Sequence, residues 1–187
     1  LIAFTTTLTG GDPVELRLKR GGTETTLRGK AIGRPLETFS GANVDYGSVA
    51  FGGGQLRDIM VTPVNVSQPP VLFYVPGYSC VSQESPDPDS MFRRFGAELV
   101  ARGIAYYRVE KVGMGDSVGP KRCVDIDHDT ELEGFRTAYR HLDEERKVPA
   151  DRIFMFGHSL GGMQAPILAA ERPPRGVAVY GTVLKNW

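Results

Sequence analysis

Arg152-Ile153-Phe154-Met155-Phe156-Gly157-His158-Ser159-Leu160-Gly161-Gly162 is the stretch that decides how this chain folds. Ile153 to Phe156 is an apolar run of strand length, and Met163 to Ala170 reads as a helix. Between them a serine is flanked at two positions on either side by glycine. Only a very tight turn joins a buried strand to a helix so abruptly, and Gly157 and Gly161 leave room for the strained backbone it forces on Ser159. Such a turn lifts the serine hydroxyl clear of the sheet. It also faces it with the unpaired N–H groups of the first helical turn, which attract developing negative charge.

The pattern repeats upstream. Val71-Leu72-Phe73-Tyr74-Val75 is continuously apolar, as expected of a strand covered on both faces. Phe92, Phe95, Leu99 and Val100 then mark one side of a helix capped near Asp89 or Ser90 and stopped by Gly103. Residues 104–109 form the next strand, and Leu132, Phe135, Tyr139 and Leu142 the face of a helix starting near Asp129 or Thr130. After the serine, Leu160, Met163, Ile167 and Leu168 are expected to point inward, and residues 177–180 add a strand. Strands alternating with helices imply an α/β fold, a doubly wound, mostly parallel sheet with right-handed crossovers. In front, Val44–Phe51 and Gln55–Pro63 flank Gly52-Gly53-Gly54 as an antiparallel hairpin.

Residues 1–36 read differently. Leu1, Phe4 and Leu8 suggest the end of a helix, Val14, Leu16 and Leu18 alternate with charged residues, and Gly21-Gly22 turns the chain into a threonine-rich strand from Thr23. Helix, Gly11-Asp12-Pro13-Val14, strand, Gly-Gly turn and strand together resemble the C-terminal half of a PDZ domain. That resemblance implies a small PDZ-like β segment in front, able to contact a peptide or protein; the other reading is a private N-terminal hairpin. Residues 37–43 read as a linker, and 44–187 as the α/β part.

With 22 basic and 22 acidic residues in 187, no net field draws the chain to nucleic acid or an anionic membrane. The runs Arg17–Arg20 and Asp143–Lys147 read as solvated faces. No apolar run approaches the ~18 residues of a membrane span. The opening Leu1-Ile2-Ala3-Phe4 has no initiator methionine, so the start of the gene product is expected to lie outside the sequence. Cys80 and Cys123 are the only cysteines, each following a strand at the same edge of the sheet. They are either a disulfide or two free thiols, and two such cysteines make a poor zinc site. A disulfide would fit a periplasmic or secreted protein, thiols a cytoplasmic one.

Three stretches in order identify the larger part as similar to the α/β-hydrolase family: Tyr74-Val75-Pro76-Gly77-Tyr78, Gly113-Met114-Gly115-Asp116-Ser117, and Gly157-His158-Ser159-Leu160-Gly161-Gly162. The first resembles the family's strand-end oxyanion loop, the second its Gly-x-Gly-x-Ser loop, the third its nucleophile elbow. The resemblance implies a serine hydrolase of carboxylic esters or peptide-like amides, working through an acyl-enzyme. Ser159 is then the nucleophile, and the backbone N–H groups of Tyr78 and Leu160 form the oxyanion hole. In the family the acid and histidine follow the elbow, so both are expected beyond Trp187, and the 187-residue chain alone is expected to be inactive. The rival reading is a catalytically incomplete hydrolase-like binding module.

The three histidines offer little as a base. His158, inside the elbow, points away from Ser159; His141 reads as solvent-facing; His128, among carboxylates at a helix start, has the one conceivable route to the site. Asp125, Asp127, Asp129, Glu131 and Glu133 resemble a cation cluster but lack the glycine of a calcium loop. They read as charge complementing a helix N-terminus. No cofactor is expected, since Val118 stands where a dinucleotide fingerprint needs its third glycine.

Overall fold

The computed structural model describes residues 8, 10–33, 35–119 and 121–182, and the expected helix end at 1–8 falls almost wholly outside them. The chain divides into two compact units, Leu1–Leu36 and Glu37–Trp187. The first contains an antiparallel hairpin of β1 (Pro13–Arg20) and β2 (Thr23–Lys30) with Arg20 opposite Thr23.

The second unit holds a six-stranded sheet. Its strands are β3 (Ala42–Phe51), β4 (Gly54–Pro63), β5 (Val71–Val75), β6 (Ala105–Val109), β7 (Ile153–His158) and β8 (Gly176–Tyr180), in the spatial order β3-β4-β6-β5-β7-β8. β4 runs antiparallel to both its neighbours, while β6, β5, β7 and β8 are mutually parallel. This is the α/β-hydrolase fold, with the antiparallel N-terminal hairpin expected from the sequence. Helices α1 (Met91–Ala101), α2 (His128–Glu144) and α3 (Gly161–Glu171) make the crossovers.

Period-two alternation assigns side chains to the two faces. Phe73, Val75, Tyr107, Val109 and Met155 pack with Leu132, Phe135, Ala138, Tyr139 and Leu142 of α2 and Ala165 and Leu168 of α3. Tyr74 and Tyr106 pack on the opposite face with Phe92, Phe95, Leu99 and Val100 of α1 and with Phe156. From β5 the chain crosses to β6 on one side, and from β7 to β8 on the other. Their adjacent C-terminal ends therefore diverge, which is the crevice where ligands of open α/β sheets bind.

Three expectations need correction. Residues 37–43 are no linker: Glu37 and Phe39 are buried, and β3 begins at Ala42. Glu37 clamps Arg108 with two bonds, Nη1 to Oε1 at 3.0 Å and Nη2 to Oε2 at 2.5 Å, both side chains fully enclosed. A pair this distant in sequence leaves no local signature. Within Asp143–Lys147, Arg146 is turned inward rather than solvated, with its Nε 2.6 Å from the carboxylate of buried Asp58. In α3, Met163 and Ile167 are exposed, and beside Leu168, which is buried as expected, the helix buries Gly161, Gly162, Gln164 and Ala165. Small residues let this helix start hard against the sheet, and that rotates the larger side chains outward.

Removing one partner of a buried ion pair strands a charge at a cost of about 3–5 kcal/mol, whereas replacing both with apolar or neutral groups is far milder. Arg108→Met should therefore lower unfolding free energy by about 3–5 kcal/mol in urea titrations, and the Glu37→Gln/Arg108→Met double variant should recover most of the loss.

Candidate active site

Ser159 follows directly on β7 with φ of 54°, the left-handed region that a residue with a side chain enters only under constraint. The constraint comes from both sides. Its N–H donates to Tyr180 O at 2.9 Å, and its carbonyl accepts from Gly162 N at 2.9 Å as α3 begins. No side chain fits at the glycines around it. A Cβ on Gly157 would lie 2.8 Å from Gly162 Cα, and one on Gly161 would run into the Val75 and Pro76 carbonyls, the latter at 2.6 Å. A Cβ on Gly77, just past the end of β5, would stand 2.8 Å from Ser159 Cβ and 3.4 Å from Oγ.

Gly77 therefore presents its bare face to the serine, which sits in the crevice between β5 and β7. Leu160 and Gly161 open α3, so their N–H groups have no intrahelical partner. Tyr78 is 83% exposed.

The loop after β5 is held from below. Cys80 and Cys123 are bonded, with Cα atoms 5.8 Å apart. Buried Glu110 accepts from the Ser82 hydroxyl and from Gln83 N and Glu84 N at 3.0 and 3.1 Å. Burial pushes its carboxyl above the usual carboxylate range, and those donors pull it partly back. Arg108 Nη1 donates to Gln83 O at 2.6 Å, and Ser85 N donates to Glu37 at 2.7 Å. The Gly113–Ser117 loop closes the far side, where Ser117 Oγ accepts from Arg57 N at 2.8 Å.

Each histidine is engaged elsewhere. His158 stacks on Tyr180, ring centroids 5.9 Å apart. His128 Nδ1 lies 3.2 Å from Asp129, at the start of α2. His141, contrary to the expected solvent-facing position, is mostly covered and lies 3.7 Å from Asp58. Among the described residues no group of three or more His, Cys, Asp or Glu side chains could hold a metal. The acidic cluster is divided among protein partners: Asp125 pairs with Arg122, Asp127 caps α2 through Thr130 N, and Glu133 pairs with Arg136. Glu131 turns inward to Lys111.

Sequence reasoning missed Lys111, Glu131 and Gln164 as neighbours of the site. Glu110-Lys111 directly after a fully buried strand was the available signal, since two charges there must find partners.

Residues 89–187 match the family model described as serine aminopeptidase, S33. The chain belongs to this family. No curated protein is similar enough to count as a match. Among solved structures, the S33-family chain is similar to a hypothetical protein from Pseudomonas aeruginosa (TM-score 0.60, 18% identity, covering 80% of this chain and 45% of that one). It is also similar to a thioesterase domain from the curacin biosynthetic pathway (0.58, 18%, 78% and 48%). A lidless α/β serine hydrolase from Xanthomonas campestris matches at 0.57 and 18%, over 82% and 66%. At these identities the likeness shows the fold. The chain spans about half the length of the first two. Among the described residues no helix is long and apolar enough to cross a membrane.

Two outcomes follow from the site's construction. Ser159→Gly removes the left-handed strain, and we expect about 1 kcal/mol of added stability in thermal or urea unfolding. The disulfide closes a sequence separation of 43 residues, for which chain entropy gives about 4 kcal/mol. Thiol titration of the unreduced protein should find neither cysteine free, and reduction should lower stability by roughly that amount.

Proposed function

We infer that this chain carries the nucleophile and oxyanion hole of a serine hydrolase acting on carboxylic esters or peptide-like amides. The observation that carries the reading is Ser159 held at positive φ on a glycine-packed turn, with the bare face of Gly77 against its hydroxyl. Ser159 Oγ attacks the substrate carbonyl and gives its proton to a base. The tetrahedral oxyanion accepts hydrogen bonds from the backbone N–H groups of Tyr78 and Leu160. The leaving alcohol or amine departs with the base's proton, and water then attacks the acyl-enzyme to release the acid and restore the hydroxyl. Each oxyanion donor is typically worth about 3 kcal/mol at the transition state.

The base and its orienting acid belong, on this reading, to parts of the protein outside the sequence, since His128, His141 and His158 each have other partners. That same observation favours the second reading, a hydrolase scaffold that binds without catalysis. The PDZ-like assignment of residues 1–36 rests on the sequence pattern alone and would favour peptide-like partners; the β1–β2 hairpin fits a private N-terminal hairpin equally. The Cys80–Cys123 bond fits an oxidising compartment, periplasmic or secreted.

A fluorophosphonate probe should label the complete gene product at Ser159, and Ser159→Ala should abolish labelling. The 187-residue chain should label ~10⁴-fold more slowly, as in serine proteases stripped of their histidine. No labelling of the complete protein would leave the binding reading.

A further inference from the structure

Lys111 follows β6 at the C-terminal edge of the sheet, and its side chain is almost fully enclosed. Its Nζ donates to the carbonyl of Gly77 at 2.7 Å and pairs with Glu131 Oε2 at 3.0 Å. Glu131, in the first turn of α2, accepts at its other oxygen from Gln164 Nε2 at 3.2 Å, and Gln164 lies in the first turn of α3, fully buried. One chain of bonds thus joins the ends of β5 and β6 to the starts of α2 and α3. Of these, the end of β5 and the start of α3 meet at Ser159. Placing an ammonium and a carboxylate out of water is costly, and here the pair is closed by hydrogen bonds to Gly77 and Gln164.

The atom it fixes is informative. A trans peptide carries its C=O and N–H on opposite edges. Holding Gly77 O toward the buried ammonium therefore turns the N–H of Tyr78 away from it, and keeps it there. Glycine at 77 would otherwise leave this peptide free to rotate, because it has no side chain to restrict it. An amide whose carbonyl accepts from a cation is also polarised, so its N–H becomes the stronger donor. We propose that Lys111 is a positioning residue of the oxyanion hole: it orients and polarises the Gly77–Tyr78 peptide, with Glu131 and Gln164 holding the ammonium in place. The proposal rests on the serine-hydrolase reading for its catalytic consequence but not for its structural one.

The test uses the complete protein and two variants. Lys111→Met/Glu131→Gln removes the ammonium together with the charge it would strand, so that folding is preserved. Glu131→Gln alone keeps an amide oxygen that can accept from the ammonium, and so leaves it on Gly77. Fluorophosphonate labelling of Ser159 should slow ~10²-fold in the double variant, the effect of losing one oxyanion donor, and several-fold less in the single one. With a substrate ester the loss should fall on kcat and leave KM nearly unchanged, a split that loosened packing would not produce. Tyr78 amide hydrogen exchange, read by NMR, should be faster in the double variant than in Glu131→Gln. Equal labelling by the two variants, or equal Tyr78 exchange, would overturn the proposal. If the wild-type protein is not labelled at Ser159 at all, the serine reading fails, and the Tyr78 exchange alone decides whether Lys111 holds the peptide.

Discussion

The turn from β7 into α3 is so tight that backbone touches backbone, and the rest of the α/β unit is arranged around that approach. Gly157 and Gly161 leave no volume for a side chain, and α3 begins against the carbonyls that end β5. A helix that starts this close must bury small residues first, which is why Gly161, Gly162 and Ala165 face the sheet and Met163 and Ile167 face out. The same proximity brings Gly77 onto Ser159 in the crevice between β5 and β7.

Around that point the protein uses polar bonds where a simple core would use apolar contact. The loop after β5 has no regular structure from Pro76 to Asp87, yet it is gripped by a disulfide, by Glu110, by Arg108 and by Glu37. A loop of this length would sample many conformations unless its N–H and C=O groups were satisfied individually. Buried charges do so with direction, which apolar side chains cannot. Their desolvation is offset by pairing, as in the enclosed Glu37–Arg108 clamp, and the result is one preferred geometry beside the serine.

Much of this was legible beforehand, and unevenly so. The parallel strands were readable because each is a short apolar run, and α2 because Leu132, Phe135, Tyr139 and Leu142 repeat at helical spacing. The elbow was readable because only glycine tolerates its contacts. The inward face of α3 was misread, because periodicity assumes that large apolar residues seek the core, whereas close approach selected small ones. The supposed linker at 37–43 was misread because its buried glutamate answers an arginine in a strand far along the chain.

The sequence by itself determined the order of strands and helices, the strained serine and its glycines, since these depend on local spacing and on volumes that only glycine leaves free. The tertiary structure alone decided which charges are paired: Glu37 with Arg108, Arg146 with Asp58, Lys111 with Glu131 and with the carbonyl of Gly77. It also brought Cys80 to Cys123. Local propensity is a property of neighbours along the chain. Charge pairing inside a protein is a property of neighbours in space, and it becomes fixed only once the sheet has brought distant residues to one edge.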